Sequence, residues 1–175
     1  CILTEEAKGE VEVPSEHDGK PVAHLMSVKD GTQNITALTV PEGVRRISGV
    51  YPVTGEKTLP LQSLTLPKGV VVYDSFNKLN DLRAVDLTDA PEIQYSFNDD
   101  SALESVVLDG VGEIKYSFRN LPKLKEVNAP NVTVVENAFS HCAALTSANL
   151  PAVTKLEGFN DCTALATVSG FGEIT

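Results

Sequence analysis

Residues 82–123 read LRAVDLTDAPEIQYSFNDDSA and then LESVVLDGVGEIKYSFRNLPK, with leucine, isoleucine and phenylalanine in the same places of both. The register extends outward in both directions. Upstream stands LQSLTLPKGVVVYDSFNKLND from Leu61, and downstream follow LKEVNAPNVTVVENAFSHCAA from Leu124 and LTSANLPAVTKLEGFNDCTA from Leu145. The opening leucines Leu61, Leu82, Leu103, Leu124 and Leu145 recur every 21 residues. Phe76, Phe97, Phe118, Phe139 and Phe159 keep that step, with one residue lost before the last. A longer copy begins at Ile35 and carries an insertion at 49–60, and a partial copy begins at Leu165. One such unit cannot bury its own apolar face, whereas stacked units form a continuous core, so fixed-period repetition predicts a solenoid.

Each unit predicts the same parts. Its opening L-x-x-V/L-x-L alternates apolar and polar residues, as a strand with one buried face does. Leu61, Leu64 and Leu66 point inward in one copy, and Leu82, Val85 and Leu87 in the next. Pro41, Pro67, Pro130 and Pro151 follow directly and stop the strand, since proline lacks the donor for another ladder bond. A second apolar position follows at Val72, Ile93, Ile114, Val135 and Leu156. The Phe comes next, after Ser75, Ser96, Ser117, Ala138 or Gly158, small enough for neighbouring turns to approach and for the rings to stack. Three residues beyond each Phe, an inward slot holds Leu79, Asp100, Leu121, Cys142 and Cys162. The fold expected is a β-rich, right-handed solenoid of six to seven repeats. Its parallel sheet lies on the concave face, with short turns, 3-10 or helical segments on the convex face.

Composition limits the function. The chain has 175 residues, a formal net charge of −10 and a hydrophobic share of 42%. That is enough apolar content for a core and too much for disorder. Its acidity disfavours phosphate backbones, so nucleic acid is not an expected partner. No apolar run reaches 18 residues, so no membrane-spanning helix is expected. Aromatics are 6% with no Trp, which makes the core aliphatic apart from the Phe column. One continuous domain is expected: an N-terminal cap and atypical first unit over 1–34, then the array over 35–175. The chain opens on Cys1 rather than Met, as a processed or excised product does.

The pattern L-x-x-V-x-L-P…I-x-x-[AS]-F-x-x-C-x-x, met best in NVTVVENAFSHCAALTSANLP (131–151), resembles the BspA-type, or Treponema pallidum-type, leucine-rich repeat. GEVEVPSEHDGKPVAHL (9–25) is similar to that family's opening unit. Departures are the 49–60 insertion, Ala129 in an inward leucine slot, and Asp100 where Cys or Leu is usual. The resemblance implies a leucine-rich repeat solenoid in a cell-surface or secreted bacterial protein. It also implies adhesion to host matrix proteins or to other bacteria.

Constellations for chemistry are thin. His141 adjoins Cys142, but alternation turns neighbouring side chains apart and Cys142 sits in the core register, so a buried thiol is expected rather than a nucleophile. Cys142 and Cys162 fill equivalent slots in successive turns. Their parallel, inward side chains favour free thiols over a disulfide. Asn98, Asp99 and Asp100 cluster without calcium-loop spacing, which predicts a solvated turn. Phosphate-loop motifs are missing, and no enzyme activity, metal or other cofactor is expected.

The outward residues of the opening strands remain. They are Ser63, Thr65, Ala84, Asp86, Ser105, Val107, Glu126, Asn128, Ser147 and Asn149, a small and mostly polar face. Such a face suits an extended extracellular host or bacterial protein, held by shape and many modest hydrogen bonds. The insertion, with Tyr51, Pro52 and Lys57, is the rival surface. The alternatives are a structural spacer or a carbohydrate-binding accessory module. A glycan partner is disfavoured by the lack of expected exposed aromatics. The half-repeat at the C-terminal side predicts end-to-end self-association or a longer array. Cys1 offers a lipid-anchoring position.

Overall fold

The computed structural model describes residues 2–3, 7–28, 34–50 and 59–170. The array is a β-solenoid in which each repeat contributes two short strands to two separate ladders. The opening L-x-x-V/L-x-L segments give Lys8–Glu12, Asn34–Thr39, Ser63–Thr65, Ala84–Asp86, Ser105–Val107, Glu126–Asn128, Ser147–Asn149 and Thr167–Ser169. They pair in parallel, but in three separate patches of three, two and three strands. The breaks fall between Ser63–Thr65 and Ala84–Asp86, and between Ser105–Val107 and Glu126–Asn128.

The second ladder is longer than the first. Ile2–Leu3, His24–Val28, Arg46–Ser48, Val71–Tyr73, Glu92–Gln94, Glu113–Lys115, Val134–Ala138 and Lys155–Gly158 form one eight-stranded parallel sheet. Here expectation needs correcting. The face assigned to short turns, 3-10 or helical segments carries a sheet, and no helix of either kind occurs among the described residues. The cause is the segment after each turn. Val71-Val72-Tyr73, Glu92-Ile93-Gln94 and Glu113-Ile114-Lys115 each place one buried aliphatic between two outward residues, the period of a strand. Three residues are also too few for a helix to nucleate.

Register follows the repeat. Ile93 pairs with Val72 and Ile114, and Val135 pairs with Ile114 and Leu156. Aliphatic side chains thereby stack directly over one another, and Leu61, Leu82, Leu103, Leu124 and Leu145 line the same core fully buried. Ala129 is buried in its leucine slot as well. In the last described turn Leu156, Phe159, Cys162, Leu165 and Val168 are only partly buried, with no further turn described to cover them.

The Phe column forms as expected. Phe76, Phe97, Phe118 and Phe139 are wholly buried, and successive ring centroids lie 5.5, 5.4, 5.3 and 5.3 Å apart, ending at Phe159. Every one of these Phe residues has positive φ, between 57° and 63°. In the Phe97 corner Tyr95, Phe97 and Asp99 alternate in the left-handed region at 52°, 57° and 63°. That conformation costs a non-glycine residue about 1 kcal/mol or more. Hydrogen bonds to both neighbouring turns offset it: Tyr95 and Asp99 N–H donate forward to Lys115 and Arg119 carbonyls, while Phe97 N–H donates back to Ser75.

The small residues before the Phe have a second role that size alone does not express. Ser75 N–H donates to Ser96 Oγ at 3.2 Å, and Ser96 N–H to Ser117 Oγ at 3.1 Å. Each hydroxyl in turn donates to a carbonyl of its own turn, Ser96 to Gln94 and Ser117 to Lys115. Asn77 and Asn98 build a parallel column, their Oδ1 atoms accepting from Asn98 and Arg119 N–H and their Nδ2 groups donating to Tyr95 and Tyr116 carbonyls. Close approach of the turns is tight elsewhere too: a Cβ on Gly112 would lie 2.7 Å from the Pro91 carbonyl oxygen.

Candidate interaction surfaces

The ten outward residues of the opening strands stand where alternation puts them. Ser63, Thr65, Ala84, Asp86, Ser105, Val107, Glu126, Asn128 and Asn149 are exposed, and Ser147 is half-buried. Ala84 lies beside Ser105 and Asp86 beside Val107, while Glu126 and Asn128 lie beside Ser147 and Asn149. Asn149 Nδ2 donates to Asn128 Oδ1 at 2.9 Å, so these amides are partly engaged with one another. Asp86 Oδ1 accepts from Thr88 Oγ1 and Thr88 N–H, which holds its carboxyl below the usual range. Tyr51, Pro52 and Lys57 of the insertion, and Cys1, lie outside the described residues.

The second face has different chemistry, and sequence reasoning missed it. Tyr73 and Tyr95 are exposed, and Tyr116 is half-buried. Tyr73 meets Tyr95 edge-on at 5.7 Å, and Tyr95 stacks on Tyr116 at 4.9 Å with the rings 10° from parallel. The Arg46 guanidinium caps the other side of Tyr73, 5.1 Å from the ring centroid, a cation–π contact. A signal was available: Tyr95 and Tyr116 are 21 residues apart, two positions before their Phe, and that position has positive φ and therefore projects outward at the corner.

Beside this ridge the sheet carries a lattice of ion pairs. Lys115 contacts Glu113 and Glu92, and Lys155 lies 3.0 Å from Glu136 and 3.5 Å from Glu157. Hydrogen bonds from Lys155 and from the Tyr116 hydroxyl hold the Glu136 carboxyl below its ordinary range. Half-buried to exposed, each of these pairs adds little to the stability of the chain.

Two shallow concavities flank the ridge. One, of about 380 Å³, is lined by Tyr95, Asp74, Lys78, Asp99 and Arg119; the next, of about 430 Å³, by Tyr116, Arg119, Asn137, His141 and Asp161. Arg119 forms the wall between them and has no carboxylate partner among the described residues.

His141 is exposed and sits 3.3 Å from Asp161, whereas Cys142 is buried and donates to the Phe118 carbonyl. Both described cysteines are free thiols. Burial pushes the Cys142 thiol up to about 12 and raises Cys162 as well. Alkylation of the folded protein followed by peptide mapping should therefore label half-buried Cys162 ahead of Cys142, which should react only on unfolding. The expected solvated turn at 98–100 needs correction: Asp99 is exposed, but Asp100 is fully buried, because its slot belongs to the core. No metal-holding group of His, Cys, Asp or Glu occurs among the described residues.

Comparison with solved structures finds the same architecture in the crystal structure of a T. pallidum leucine-rich repeat protein. The TM-score is 0.55 at 21% identity, over 94% of this chain and 82% of that one. No family model matches this chain, and no curated protein does.

Proposed function

We propose that this leucine-rich repeat solenoid is a non-catalytic bacterial binding module, secreted or displayed at the cell surface, that adheres to an extracellular host or bacterial protein. The observation that carries the reading is the ridge of Arg46, Tyr73, Tyr95 and Tyr116 along the edge of the eight-stranded sheet. Tyrosine and arginine are enriched among the few residues that carry most interface energy, and tyrosine buries much area at small entropic cost. Stacked rings are already ordered, which lowers that cost further. A glycan fits less well, since Tyr95 and Tyr116 cover each other's faces and leave mainly edges to a sugar. A spacer role predicts no binding at all.

The small polar face of the opening strands supports a second location for the same activity. Its residues are in register and short enough for an extended chain to lie against the backbone. Surface-plasmon binding against a panel of matrix proteins and bacterial surface proteins separates the two locations. Tyr95→Ala with Tyr116→Ala should weaken binding at least 100-fold if the ridge is the site, with Ala84→Arg plus Ser105→Arg nearly unchanged. The reverse pattern would move the site to the polar face. A panel with no binder would favour the spacer.

A further inference from the structure

The slot three residues past each Phe imposes a two-sided hydrogen-bond requirement. Cys142 receives the N–H of Leu121, the slot residue one turn earlier, and donates its thiol proton to the Phe118 carbonyl at 3.2 Å. Cys162 receives the N–H of Cys142 and donates to the Phe139 carbonyl at 3.0 Å. Asp100 occupies the same slot two whole repeats before Cys142, fully buried. Its Oδ1 accepts the Leu79 N–H at 2.8 Å, reproducing the first half of the pattern. Its Oδ2 is buried with no partner. The carbonyl that corresponds to those of Phe118 and Phe139 is that of Phe76, to which no described residue donates. A carboxylate can only accept, so it satisfies half of this slot. A neutral carboxylic acid accepts and donates, as the thiols do.

We propose that Asp100 is held as a neutral acid whose Oδ2–H donates to the Phe76 carbonyl, making this slot a pH-sensitive joint between two turns of the solenoid. The surroundings favour the proton. Burial pushes the carboxyl up to about 8, with the Leu79 and Lys78 N–H groups opposing and the neighbouring Asp99 carboxylate adding to the rise. The charged side chains within three residues of this slot, in its own turn and the two adjoining ones, are Lys78 and Asp81 before it, Asp99 beside it, and Arg119 and Lys123 after it. All are exposed except half-buried Arg119, and none forms an ion pair with Asp100. As the pH rises through about 8 the proton leaves, the acid loses its donor, and the carboxylate must seek water. The joint then loosens beside Asn98 and Asp99, in the corner that also carries Tyr95.

The sign of the linkage is fixed. Between an unfolded value of about 4 and a folded value of about 8, the folded chain keeps a proton that the unfolded chain has lost. Stability therefore falls as pH rises through that window and levels off above it. Asp100→Asn keeps an acceptor and a donor without a titration, and Asp100→Cys installs the thiol used two and three turns later. Denaturant unfolding of the whole chain and both variants from pH 6 to pH 9.5 should show the wild-type unfolding constant rising about tenfold per pH unit relative to Asp100→Asn, flattening above about pH 8. A ratio independent of pH would overturn the proposal, as would failure of both variants to fold. In wild-type protein with ¹³C-labelled Asp and Phe, the Asp100 carboxyl and Phe76 carbonyl carbons should titrate together. A Phe76 carbonyl that stays fixed while Asp100 titrates would also overturn it.

Discussion

Phe118→Ala is expected to destabilise the solenoid by about 4 kcal/mol, the loss typical of emptying a fully buried aromatic site. The ring has no exposure and stacks on Phe97 at 5.4 Å and Phe139 at 5.3 Å, so its removal leaves a void and two unstacked faces. Relief is small, because alanine at φ 57° remains in the left-handed region that the corner requires. Nearest-neighbour coupling along the stack should also split the urea transition, with the turns on either side unfolding separately. Phe159→Ala is the internal comparison. That ring is half-buried and has one stacking partner among the described residues, so the cost should be about half as large. Equal costs would mean that stacking is not what couples the turns.

Ser96→Ala should cost about 2 kcal/mol, far more than the removal of one hydroxyl from a surface serine. Ser96 Oγ accepts the Ser75 N–H and donates to the Gln94 carbonyl, and both serines are fully buried. Without the oxygen, a main-chain donor is left unpaired where no water reaches it. Thermal melts of Ser96→Ala beside Ser101→Ala, at an exposed hydroxyl, would check the difference. Ala138, in the slot that faces the Ser117 N–H, carries no hydroxyl, so the serine column ends there and Ala138 pairs with Gly158 as a strand residue.

These two sites also show where the sequence was informative. The 21-residue step identified the solenoid, the Phe column and the buried aliphatics, because each depends on one apolar side chain recurring in register. Backbone partners were not legible. A serine before each Phe looks like a small residue until the neighbouring turn is in place to donate to it. The second sheet was hidden for a related reason, since three-residue strands such as Glu113–Lys115 carry too little alternation to announce themselves. At the surface, the Ser and Asn positions of the opening strands could be placed outward by alternation alone. The tyrosine ridge could not, because Tyr95 and Tyr116 project from corners whose left-handed backbone follows no simple period. Asp100 was visible as an exception in an apolar slot, but its meaning required the thiol–carbonyl bonds two repeats away.

The unequal ladders give the molecule a mechanical direction. Eight strands bonded without interruption form a spine that resists stretching on one side. On the other side, strand bonding lapses twice, after Thr65 and after Val107. Bending that opens those two lines breaks no ladder bond, whereas bending the opposite way must compress close-packed turns or stretch the spine. The solenoid should therefore flex like a jointed ruler with a stiff back, spreading its small polar face into three panels while the tyrosine ridge keeps its spacing.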